Sequence, residues 1–224
     1  MRPRLLDLYC CAGGASVGYH RAGFDVVGVD MMAQPNYPFE FHQADAIEFL
    51  LEHGHEFAVR VASPPCQFAT AYRRKGHGVG ATAVNLIPHT RAALLEVGGP
   101  YVIENVEQAR PHLIDPVRYC GSSFGLDVRR HRLMESNLPL HAPACDHSWQ
   151  TPRFPPATNR TNLRRTVEVG VWRIPLDVQQ RAMGIDWMEL PELSQAIPPA
   201  YTQHIGMQLL DHLVAAGSIP GVAA

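Results

Sequence analysis

At 224 residues, with 46% apolar and 18% charged residues, the chain is long enough to bury a core as one ordinary domain, which excludes a small scaffold held by disulfide staples. Its net charge of −2 argues against a protein that coats nucleic acid by bulk electrostatics. There is no run of about 18 apolar residues, and MRPRLLDLYC lacks the apolar core and cleavage site of a signal peptide, so a soluble cytoplasmic protein with no membrane partner is expected.

In chain order, LLDLYC (5–10) reads as a buried strand, and CAGGASVGYHRAG opens with glycines and continues at helical spacing through Val17 and His20 to a stop at Gly23. DVVGVD is a second strand ending at Asp30, and FEFHQAD a short third one ending at Asp45, with a helix from Ala46 to about His53 after it. FAVRVAS (57–63) is a fourth strand and leads to Cys66. A helix of roughly 85–97 precedes the fifth strand, YVIEN (101–105), which carries Glu104. This alternation predicts βαβ units and a parallel, Rossmann-like sheet. GSSFGLDVRRHRLMESN reads as a turn with one or two polar strands, and 138–177 as a loop-rich excursion. Residues 176–188 return to helix, and SQAIPPAYTQHIGMQLLDHLVAAG is a proline-initiated helix.

In an open parallel sheet, ligands bind beyond the carboxyl ends of the strands. The glycine turn, Asp30, Asp45, Cys66 and Glu104 all fall at such ends, so the fold would gather residues spread over about a hundred positions. CAGGAS lacks both the dinucleotide fingerprint and a phosphate-loop lysine, and a packing turn would use the same glycines. Asp30 is placed to accept hydrogen bonds from ribose hydroxyls. In SPPCQ two prolines stiffen the chain before Cys66, which suits a nucleophile and equally a plain turn. A carboxylate in a doubly buried strand is unusual, and a thiol beside it fits covalent attack on an electron-poor ring whose nitrogen the acid protonates. The odd count of cysteines (Cys10, Cys11, Cys66, Cys120, Cys145) suggests reduced thiols. Basic clusters lie at Arg73, Arg74 and Lys75, at Arg129, Arg130 and Arg132, and at Arg160, Arg164 and Arg165. Any one alone would be a solvated face.

Taken in order, DLYCCAGGASVGYHRAGF, SPPCQ, VIENV, RRHRLMESN, PLDVQQRAMGIDWM and AIPPAYTQHIG resemble the sequential motifs of the DNA (cytosine-5)-methyltransferases. The resemblance spans nearly the whole chain. It implies a class I fold that uses S-adenosyl-L-methionine, and a double-stranded DNA substrate whose cytosine is flipped out of the helix. Cys66 would add to C6, Glu104 would hold the ring at N3, and Arg132 and Arg130 would orient the catalytic groups. Tyr9, Gly13, Asp30, Asp45 and Pro65 would surround the cofactor: Asp30 at the ribose, Asp45 at the adenine amino group. AYRRKGHGVGATA (71–83) corresponds to a loop that closes over DNA, with Arg73, Arg74 and Lys75 on phosphates. A monomer is implied, with a cognate restriction nuclease left open as a partner, and tRNA cytosine stays as the rival substrate.

Tyr9 stands in place of the usual phenylalanine, Val128 in place of a glutamine, and Ser194-Gln195 in place of a Gly-Asn pair. The expected organisation is a catalytic and cofactor-binding core over 1–137, a reduced target-recognition region over 138–177, and helices over 178–224 that return to the core. Cys120, His141, Cys145 and His147 show no C-x-x-C and no H-x3-H pair, so they are read as scattered loop residues and no metal is expected. Trp149, Trp172 and Trp187 are read as packing groups, with Trp149 the one to test against DNA.

Overall fold

The computed structural model describes residues 2–69, 84–151 and 164–219. Its centre is a seven-stranded sheet of β1 (Arg4–Leu8), β2 (Asp25–Asp30), β3 (Glu40–Gln43), β4 (Val59–Ala62), β5 (Tyr101–Val106), β6 (Val117–Tyr119) and β7 (Arg132–Ser136). The spatial order is β3-β2-β1-β4-β5-β7-β6. β1 to β5 are parallel, whereas β7 runs antiparallel to both β5 and β6. Because β1 lies between β2 and β4, the strand order reverses at β1, and a crevice opens there beyond the carboxyl ends.

Side-chain alternation along the strands separates two cores. Leu6, Leu8, Val27, Val29 and Ile103 face α2 (Ala46–His53) and α3 (Ile87–Val97), where Leu50 and Leu94 meet them. Leu5, Val26, Val59, Val61 and Val102 face α1 (Gly14–Ala22) and α6 (Pro199–Ala215), through Tyr19, Tyr201, Ile205 and Leu209. α1 and α6 approach closely at Gly18, where a Cβ would run into Thr202 and the Pro199 carbonyl, and Thr202 Oγ1 donates to Ala15 O at 2.8 Å. A third cluster joins Val128, Val167 and Ile174 to α4 (Leu176–Met183) and α5 (Leu190–Gln195). β8 (Gln150–Thr151) and β9 (Arg164–Arg165) form a separate two-residue parallel ladder. Among the described residues, no helix is long and apolar enough to cross a membrane.

β2 and α2 have the bounds read from the sequence. β1 stops at Leu8, not Cys10, because Tyr9 turns to φ 58°, and β4 stops short of Pro64 and Pro65, which have no N–H for a ladder. The short β6 and α5 are additions to the sequence-based scheme. Arg73, Arg74, Lys75, the rest of the 71–83 loop and Arg160 lie outside the described residues.

The inserted β7 is fixed by a buried ion pair. Glu135, 1% exposed, receives Arg91 Nε and Nη2 of α3, each at 2.6 Å, and also accepts the Ile114 N–H at 2.8 Å. Removing the guanidinium would strand a buried carboxylate. Arg91→Ala is therefore expected to cost about 3–5 kcal/mol, read as a lower urea midpoint at unchanged slope. Combining Arg91→Met with Glu135→Leu should recover part of the loss, since it removes both charges but leaves the Ile114 N–H without its acceptor.

Candidate active site

A cleft of about 750 Å³ lies beyond the carboxyl ends of β1, β2, β4 and β5, in the size range of small-molecule sites. Tyr9, Asp30, Asp45, Pro65, Cys66, Glu104 and Arg132 all line it, so the fold unites most of the residues picked from the sequence. Gly13 does not line it, although its neighbours Ala12 and Gly14 do. Its role is conformational: at φ 80° it caps α1, and a Cβ there would press on Pro38 and Tyr37 at 2.9 and 3.0 Å.

Cys66 follows β4 on a turn held from the adjacent strand. Asn105 of β5, 1% exposed, donates from Nδ2 to Pro64 O at 2.9 Å, and the Ala69 N–H closes the turn on Cys66 O. The next residue back on β5, Glu104, points to the other side and meets Arg132 of β7, with Nε to Oε1 at 3.1 Å. Burial raises the Glu104 carboxyl above the usual range, against the pull of Arg132 and Arg130. Burial also raises the Cys66 thiol, the Glu104 charge adds to this, and Arg132 and Arg130 oppose it.

That opposition distinguishes Cys66 from the other cleft cysteines. Cys10 and Cys11 are raised by burial and by Asp7 and Asp30, Cys11 to about 12, with no cation to offset them. A thiolate is accessible only where positive charge stands by, which singles out Cys66.

Arg130 acts at one remove. Its side chain is anchored on the wall before α6, donating from Nε to Ala196 O at 2.8 Å and from Nη2 to Ser194 O at 2.7 Å. It thereby places Ser194 and Gln195, which line the cleft, and adds a positive field at Cys66. The backbone is strained where these parts meet. Tyr9, Cys11 and Arg130, with φ 58°, 46° and 32°, are three of the four non-glycine residues at positive φ among those described.

The cofactor side of the cleft carries acceptors with capacity to spare. Asp30 accepts Cys11 N–H at 3.1 Å on Oδ2 and Met32 N–H at 2.9 Å on Oδ1, which fixes its carboxylate while each oxygen keeps a lone pair. Asp45 caps α2 through Oδ1 alone, at 2.8 and 3.0 Å to Ile47 and Glu48, leaving Oδ2. Tyr9 is pinned by a 3.0 Å hydrogen bond to Thr90.

Sequence reasoning missed Asp7, taking it as one more position of an apolar strand. It lies 1% exposed in the cleft wall, bonded to Ser16, with Oδ1 lacking a hydrogen-bond partner among the described residues, and burial pushes its carboxyl up to about 7. An acid inside the run LLDLYC is the available signal.

Two expectations are corrected. Cys120, Cys145 and His147 are not scattered: they converge, and the histidine that joins them is His131, not His141. His141 instead binds through its backbone to Gln208 and Tyr119. Trp172 is not a packing group, being 86% exposed, whereas Trp187 does pack and donates to Ala12 O at 2.9 Å.

No known protein-family profile matches the chain. Two type II methyltransferases of Herpetosiphon aurantiacus, M.HgiDI and M.HgiGI, are each 30% identical over a match that takes in 48% of this chain. The match covers 93% of M.HgiGI but only 38% of M.HgiDI. Among solved structures, a DNA modification methyltransferase encoded within an E. coli prophage superposes with a TM-score of 0.60 at 15% identity, covering 94% of this chain and 99% of that one. The Entamoeba histolytica methyltransferase EhMeth gives 0.58 at 12% identity, and the S. pombe Dnmt2 methyltransferase 0.55 at 13%, each covering 95% of this chain and 99% of the other. The chain thus shares the fold of these methyltransferase structures. At 30% identity over a match that covers 93% of M.HgiGI, the chain belongs to the type II methyltransferases.

Proposed function

We propose that the protein methylates C5 of cytosine in double-stranded DNA, with S-adenosyl-L-methionine as methyl donor and Cys66 as covalent nucleophile on a flipped-out base. The observation that carries this reading is the meeting of Cys66, Glu104 and Arg132 in the cleft that Asp30 and Asp45 also line. The cleft's volume, the free Asp45 oxygen and the unpartnered oxygen of Asp7 suit a ligand with ribose hydroxyls, an exocyclic amine and a cationic end. Asp30 would take the ribose, Asp45 the adenine amine, and Tyr9 and Pro65 the adjoining walls. When bound, the cofactor supplies an electrophilic methyl group.

The chain's own groups do the rest. Cys66 Sγ adds to C6 while the carboxyl of Glu104 gives a proton to N3, which makes C5 electron-rich. Loss of the C5 proton to water in the cleft then expels the sulfur as thiolate, and N3 returns its proton to Glu104. Arg132 holds Glu104 in place and keeps its charged form from becoming prohibitive after proton transfer. Arg130 positions the 194–196 wall. Such chemistry requires the base outside the stack, and residues 138–177, with Trp172 exposed, serve as a small target-recognition region. Arg73, Arg74 and Lys75 would contact phosphates.

The test compares methyl incorporation from labelled cofactor into duplex DNA and into tRNA. Incorporation into DNA, with 5-methylcytosine found by bisulfite sequencing, is expected. Preference for tRNA, or methylation at a cytosine or adenine amine, would overturn the assignment.

A further inference from the structure

The four side chains that the catalytic cleft does not use form a compact group of their own. Cys120 directly follows β6, His131 directly precedes β7, and Cys145 and His147 lie on the stretch that leads to β8. One donor atom from each, two sulfurs and two imidazole nitrogens, falls within 4.8 Å of all the others. Cys120 Sγ stands 3.2 Å from His147 Nε2, and Cys145 Sγ 3.6 Å from His131 Nε2. Zinc–sulfur and zinc–nitrogen bonds of about 2.3 and 2.1 Å in a tetrahedron put sulfur and nitrogen roughly 3.6 Å apart and two sulfurs roughly 3.8 Å apart. The group therefore needs only small adjustments, a slight widening between Cys120 and His147 among them, to enclose an ion.

From this juxtaposition we infer that Cys120, His131, Cys145 and His147 form a structural zinc site that fastens the start of the recognition region to the sheet. Ser122 Oγ lies 3.1 Å from Cys120 Sγ and can donate to a ligated sulfur. Two thiolates and two neutral imidazoles leave a dication neutral. All four positions are filled by protein, which is the pattern of a structural and not a catalytic zinc.

The placement explains why such a clip would be useful. Residues 138–151 contribute few apolar side chains to the cores, and short segments of this kind need a covalent or metal cross-link to be held. His131 adjoins Arg132, the partner of Glu104, so the same ion would fix the edge of the catalytic cleft.

Untagged protein, purified from zinc-supplemented cells and gel-filtered, should carry about one zinc per chain by elemental mass spectrometry. After chelation, added cobalt should give the intense visible bands and the sulfur-to-metal charge-transfer band of a tetrahedral Cys2His2 site. Cys120 is buried, so the decisive variants are Cys145→Ser and His147→Gln, each expected to weaken metal binding at least about tenfold with circular dichroism retained. If either variant fails to fold, the cobalt spectrum of the wild-type chain decides alone. His141→Gln should keep the ion. Metal-free wild-type protein that gives only weak octahedral cobalt bands, equal metal content in the folded variants, or a Cys120–Cys145 disulfide in the native chain would each overturn the site.

Discussion

Replacing Cys66 by serine is expected to lower single-turnover methyl transfer to duplex DNA by on the order of 10⁴-fold or more, while the melting temperature stays near that of the wild type. The exchange of sulfur for oxygen changes little in volume, and the turn is held by backbone and by Asn105, not by the thiol. What is lost is acidity and nucleophilicity. Even the raised thiol of Cys66 has Arg132 and Arg130 drawing it toward thiolate, whereas an alcohol in the same field remains protonated. A second readout isolates the covalent step. DNA bearing 5-fluorocytosine cannot release a proton from C5, so the wild-type enzyme should accumulate an adduct that survives denaturation, and Cys66→Ser should form none. An adduct of normal yield in the variant would remove Cys66 from the mechanism, and Cys10→Ser with Cys11→Ser, which should leave adduct formation intact, would locate the alternative.

Which parts of this site can be read from the sequence depends on whether the physics is local. β1, β2, β4 and β5 are near-continuous apolar runs, and each ends in a residue that apolar runs do not explain: the glycine turn, Asp30, Cys66 and Glu104. A parallel sheet then forces those ends to one side, so the cleft follows from pattern and topology. β7 is harder because its burial depends on a distant partner. Glu135 looks polar in RLMES, yet it is inside the protein because Arg91, 44 residues earlier, neutralises it. The cysteine–histidine group shows the same limit. Its ligands come from a strand end, the residue before another strand, and a loop, so no local spacing announces them, and His141, nearer in sequence to Cys145, takes the place of His131 in a reading by proximity. Asp7 is hidden for the opposite reason: its neighbours Leu6 and Leu8 face one core and it faces the other, between α1 and the cleft. Arg130 is expected to help orient the catalytic groups, and the sequence gives no sign that its side chain reaches backbone carbonyls 64 and 66 residues away, on the stretch before α6.

Glu104→Gln should reduce kcat/KM for duplex DNA by roughly 10²–10⁴-fold, and its pH profile separates proton transfer from mere positioning. Attack requires a thiolate at Cys66 and a proton on Glu104, so the active pair holds one proton between them. Both groups are raised, each from its ordinary range, mainly by burial. Below the Glu104 value the pair holds two protons, and the rate rises with pH as the first is lost. Above the Cys66 value it holds none, and the rate falls. Between the two, gain of thiolate cancels loss of carboxylic acid, and the wild-type profile is flat. Glutamine can still donate a hydrogen bond to the ring but has no proton to give up, so only the thiolate remains pH-dependent. The variant's log kcat/KM should therefore climb with a slope near +1 across the range in which the wild type is level. Loss of the Glu104 charge also removes one of the influences that raise Cys66, so the climb should end at a lower pH than the descending limb of the wild type. A variant that is slower but keeps the flat profile would mean that Glu104 only orients Arg132 and the base, and the proton to N3 would then have to come from another group in the cleft.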